Sequence, residues 1–70
     1  MNSDQQLIQS AYDDAIKRLY AILFDAYASA GGASDQEREA DRNFSTGVAS
    51  ARRSRDRAIA LLAQTQTAQT

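Results

Sequence analysis

Four arginines, Arg52, Arg53, Arg55 and Arg57, stand within six residues of the stretch ARRSRDR. A guanidinium is planar, permanently charged and able to grip a phosphate or carboxylate through paired hydrogen bonds. On a helix these four would not act as one group. Arg53 and Arg57 point away from the apolar face, Arg52 lies at its edge, and Arg55 falls inside it between Ala51 and Ile59. A charge inside an apolar arc needs a partner, because an unpaired buried charge is expensive. Asp13 and Asp14 are candidate partners within the chain. The alternative is a fork of Arg52 and Arg55 around an anionic ligand, with Tyr12 close enough to stack on a base or another planar group.

Other chemistry is poorly supplied. With no His and no Cys, the common general base, the thiol nucleophile and the Cys/His zinc clamp are all excluded. The serines have no evident base beside them. Adjacent carboxylates such as Asp13 and Asp14 project about 100° apart on a helix, so they do not converge on one metal. No catalytic residue, metal site or cofactor is expected, and the chain reads as a non-enzymatic binding or assembly protein.

The elements that would carry these side chains are helices. Pro is absent, and two of the three glycines stand together as Gly31 and Gly32, which reads as helix, break, helix. Each helix opens on a capping box: SDQQ pairs Ser3 with Gln6, and SDQE pairs Ser34 with Glu37. The pattern predicts an all-α chain, an antiparallel two-helix hairpin over residues 1–63, with helices over 4–29 and 35–63 and a turn over 30–34. Residues 64–70, QTQTAQT, hold weak helix formers and no apolar face, and are expected to form a flexible polar tail.

Seventy residues form a marginal core, and neither disulfides nor Cys/His zinc can reinforce it. Self-association is the remaining device. On helix 1, Ile8, Tyr12, Ala15, Leu19, Ile22 and Ala26 follow heptad spacing, and a second seam lies beside it at Ile16, Tyr20, Leu23, Tyr27 and Ala30. On helix 2 the seam is mostly small: Ala40, Phe44, Gly47, Ala51, Ser54, Ala58 and Leu61. Large side chains then meet small ones, with Leu19 near Gly47 and Tyr12 near Ser54. Two helices cannot cover both seams of helix 1. Ile16, Tyr20, Leu23, Phe24 and Tyr27 are therefore the expected oligomer interface of a homo-oligomeric helical bundle, with a dimer forming four helices as the simplest case.

Charge is segregated along the chain. Residues 1–41 carry three basic and eight acidic side chains, and residues 42–70 carry five and one. Antiparallel subunits would lay the acidic turn of one against the arginines of another and so set register. The net charge of -1 and the short basic stretch argue against duplex DNA as a partner. No stretch approaches the ~20 apolar residues of a membrane span, and no export signal is legible, so a soluble cytoplasmic protein is expected.

The stretch READRNFSTGVASARR, Arg38 to Arg53, resembles the second hairpin helix of phage-encoded nucleotide sponges that counter CBASS and Thoeris immunity. The matching residues are Arg38, Glu39, Ala40, Phe44 and Gly47, with Arg52 or Arg53 beyond; they span about a quarter of the chain. Further on, SARRSRD stands where that family has apolar residues. The resemblance implies an oligomer of hairpins that binds a cyclic nucleotide between subunits and sequesters it without hydrolysis, in the host cytoplasm if the chain is phage-encoded. An aromatic would stack on a base while basic groups hold phosphates, roles that Tyr12, Lys17 and Arg55 suit by chemistry. The alternative reading is an assembly or inhibitor module whose arginines set subunit register.

Overall fold

The computed structural model describes residues 3–68, with side chains described through residue 65. Two helices, α1 (Ser3–Ala30) and α2 (Ser34–Ala68), pack against each other as a hairpin. The turn is made by backbone conformation alone. Gly31 and Gly32 have φ of 56° and 90°, the left-handed region that an L side chain resists. The N–H of Gly31 donates to the carbonyl of Tyr27 at 3.3 Å, which closes α1 in the αL manner. The N–H of Glu37 then donates to the carbonyl of Ala33 at 3.1 Å, so Ala33, rather than Ser34, is the residue whose carbonyl opens α2. Two left-handed residues complete the reversal early, and the second helix begins one position sooner than its capping box suggests.

At its other end α2 runs on through residues 64–68, where the sequence predicts a tail. Gln and Thr cost only a few tenths of a kcal/mol each relative to Ala once a helix is propagating. Thr65 also returns its hydroxyl to the carbonyl of Leu61 at 3.0 Å, a bond within the helix that satisfies the side chain locally. The last two residues of the expected tail lie outside the described residues.

Burial departs from the heptad. In α1 the covered positions are Ile8, Tyr12, Ala15, Ile16, Leu19, Leu23, Ala26 and Ala30, while Ile22 is 63% exposed. In α2 they include Ala40, Phe44, Gly47, Val48, Ala51, Arg55, Ala58, Ile59 and Leu62, while Ser54 and Leu61 of the expected seam are exposed. Most of these positions recur at eleven-residue intervals: 8 and 19, 12 and 23, 15 and 26, 19 and 30 in α1; 40 and 51, 44 and 55, 47 and 58, 51 and 62 in α2. An eleven-residue repeat gives about 3.67 residues per turn, close to an unwound α-helix, whereas a heptad requires supercoiling. The seam therefore drifts from Ile22 to Leu23 and from Ser54 and Leu61 to Arg55 and Leu62.

Close approach occurs at Gly47. A β-carbon placed there would lie 2.5 Å from Cδ2 of Leu19, so the leucine occupies the space that a side chain would take. This offsets the ~1 kcal/mol that a mid-helix glycine costs relative to alanine. Only Ala30 and Ala40 are buried among the described residues, and no large side chain is fully enclosed. The accessible surface is 5334 Å², against roughly 4,300 Å² expected of a compact monomer of this mass.

Candidate functional site

Arg55 occupies the position on α2 that Phe44 occupies eleven residues earlier, which turns it toward α1 rather than into solvent. Its guanidinium carbon lies 4.4 Å from the centroid of the Tyr12 ring, a cation–π contact, and its side chain is only 26% exposed. Nε donates to Oδ1 of Asp56 at 3.1 Å. The half-buried charge is therefore met by an aromatic face and by its sequence neighbour. Asp13 and Asp14, the partners expected from the sequence, turn elsewhere: Asp13 accepts from Gln9 Nε2 at 3.0 Å, and Asp14 stands 4.0 Å from Lys17. The cause is azimuthal, since one and two steps of about 100° beyond Tyr12 carry both carboxylates off the face that meets α2.

The surface ion pairs follow suit. Asp13 to Lys17 and Asp14 to Arg18 are spaced for i,i+4 contact, yet the pairs present are Asp14 with Lys17 and Asp35 with Arg38, both i,i+3. All four side chains are more than half exposed, and such pairs contribute little.

Tyr12 and Arg55 line an open groove of about 240 Å³ together with Ile8, Ala11, Ala15, Ala51, Ser54 and Ala58. The alanines come from the small-residue pattern of both helices, and they leave the ring of Tyr12 and the stem of Arg55 as the large groups in the groove wall. The other two expected ligand residues are not brought here. Arg52 is exposed and does not line the groove; one turn from Arg55 and about 60° round α2, it lies toward the other flank. Lys17 is 80% exposed and projects about 140° around α1 from Tyr12. Sequence reasoning put Tyr12 and Arg55 in one site around a ligand but did not foresee their direct contact, because it took Ser54 as the seam residue opposite that ring. The signal was present in the eleven-residue interval from Phe44.

A second group of side chains gathers on the other flank. Tyr20, Leu23, Phe24 and Tyr27 surround a shallow apolar recess, and Tyr20 and Phe24 meet with ring centroids 6.5 Å apart. Tyr20 and Phe24 are each 60% exposed. The hydroxyl of Tyr27 donates to Oδ1 of Asp41 at 2.5 Å, tying the flank of α1 to α2. That hydrogen bond, together with desolvation and the nearby charges of Asp41 and Glu37, raises the Tyr27 phenol above its ordinary 10.0. Ile16 and Leu23 are half-buried in the hairpin itself, so of the five expected interface residues Tyr20, Phe24 and Tyr27 are the ones that stand outside it.

Among the described residues no group of three acidic, His or Cys side chains could hold a metal ion, and no helix is long and apolar enough to cross a membrane. Comparison with family models, with curated proteins and with solved structures yields no match for this chain.

Proposed function

We propose that this chain is a non-enzymatic cytoplasmic binding protein that works as a homo-oligomer of helical hairpins and sequesters a small anionic ligand. A cyclic nucleotide is the ligand class that its resemblance to phage nucleotide sponges implies. The observation that carries the reading is the stack of Arg55 on Tyr12 in the wall of an apolar groove. A guanidinium and a phenol ring are the two planar groups best suited to a ligand that has both a phosphate and a base. The groove, at about 240 Å³, is smaller than the ~300 to 1,000 Å³ of ordinary small-molecule sites. Another subunit laid over this side of the hairpin, in a contact separate from any on the Tyr20, Phe24 and Tyr27 flank, would complete the enclosure, which is why binding and assembly are joined in one proposal.

A second reading is favoured by the same arginine. Its charge already has Tyr12 and Asp56 as partners, as a residue that holds helices in register would. In that case the chain is an assembly or inhibitor module with no small ligand. Titration calorimetry with a panel of cyclic di- and trinucleotides, run beside light scattering on the wild type and Arg55→Ala, separates the two. Sequestration predicts heat from at least one nucleotide, lost in the variant while the oligomer mass is unchanged. Absence of heat from every nucleotide, with a changed oligomer mass in Arg55→Ala, favours the assembly module.

A further inference from the structure

We infer that the flank bearing Tyr20, Phe24 and Tyr27 is the seat of a second copy of this chain. The copy is related by a two-fold axis that crosses the hairpin at the level of Tyr20, so that each helix lies antiparallel on its own counterpart. The inference rests on the proposed self-association but not on any ligand.

Area is the first support. The hairpin exposes 5334 Å², roughly 1,000 Å² more than a compact monomer of its mass. A standard interface covers about 800 Å² per partner. Of the six large hydrophobic side chains exposed among the described residues, the three on this flank, Tyr20, Phe24 and Tyr27, are all aromatic, the type enriched in interface cores.

Charge fixes the arrangement. Asp41 and Arg52 are both exposed on α2 and stand eleven residues apart, so they share one stripe, separated by about 16 Å at 1.5 Å per residue. That stripe belongs to the aromatic flank, because Asp41 takes the hydrogen bond of Tyr27. Three contacts set the register of the helices: Leu19 against Gly47, Tyr12 against Arg55, and Tyr27 against Asp41. By that register the midpoint of Asp41 and Arg52, between Thr46 and Gly47, is level with Tyr20. A two-fold axis at this level places Asp41 of each copy opposite Arg52 of the other, and Phe24 opposite Ile16. A two-fold axis along the helices would instead lay α2 of each copy on α1 of the other and leave the crossed pairs of Asp41 with Arg52 unmade. The acidic carboxylate is also held in place by the Tyr27 hydroxyl, so it meets the arginine without losing further side-chain freedom.

Charge reversal tests this directly. Asp41→Arg and Arg52→Asp each place two like pairs across the axis of their own dimer, and each is expected to weaken self-association at least about tenfold by sedimentation equilibrium. Mixed in equal amounts, the two variants form a heterodimer in which both crossed pairs are complementary, and association returns toward the wild-type value. Far-UV circular dichroism on each variant checks that the helices remain, since both positions are exposed. A mixture no tighter than its components, or single variants that associate like the wild type, overturns the two-fold arrangement while leaving oligomerisation standing. A wild type that remains monomeric throughout overturns both.

Discussion

At the turn end the hairpin closes around two buried alanines, Ala30 and Ala40, and a tyrosine hydroxyl donating to Asp41; at the open end none of the described residues is buried, and the helices meet through Arg55 laid on Tyr12. Near the turn the chain itself holds the helices together, so small side chains suffice and the backbones can come close. Away from it the entropy of separation must be opposed by contacts, and large planar groups supply the most area and dispersion per residue. The open end is also where a ligand or a second subunit has most to add, because the helices there are held by one polar stack and a shallow apolar groove.

The largest effect is expected where both halves meet. Gly47→Leu would drive a side chain into the space of Leu19 and separate the helices, lowering stability by about 2 kcal/mol in thermal denaturation. Adding Leu19→Ala to the same chain should recover much of that loss, because it empties the space the new side chain enters. A smaller effect distinguishes the ends. Arg55→Ala removes the cation–π contact and the covering stem, worth about 1 kcal/mol. Amide exchange should rise in the open half of both helices and remain unchanged near Ala30 and Ala40. The smallest effect concerns the turn end. Because folding raises the Tyr27 pKa above 10.0, that group's contribution is fully present below pH 10 and is lost as pH rises through the folded value. Tyr27→Phe should therefore be slightly less stable than the wild type near neutrality, and the gap should close in an alkaline titration of the melting temperature, because only the wild type has that contribution to lose.

Much of the architecture was legible. Paired glycines bounded by two alanine-rich, proline-free segments admit few structures besides a hairpin, and the large-to-small pairing of Leu19 with Gly47 followed from counting residues on either side of the turn. The details went astray where neighbouring options differ by little. A heptad and an eleven-residue repeat agree over the first two turns of contact and diverge afterwards, so Ile22, Ser54 and Leu61, expected in the seam, are exposed, and Leu23, Arg55 and Leu62 beside them are covered instead. The site suffered from the same drift. Tyr12 and Arg55 are grouped correctly from the sequence, whereas Arg52 at the edge of the seam is exposed, and Lys17, added for its charge alone, projects well away from Tyr12. Asp14 meets Lys17 rather than Arg18, four residues on, for a simpler reason: exposed side chains of this length reach i+3 at almost equal cost.

Self-association is the claim on which the groove, the aromatic flank and the segregated charges all depend. Sedimentation equilibrium of the unmodified chain over a wide concentration range tests it most directly. The account predicts a mass that is an even multiple of the 7.6 kDa chain and that falls as salt is raised, since exposed ion pairs are screened. A single species at the chain mass across the whole range would contradict it.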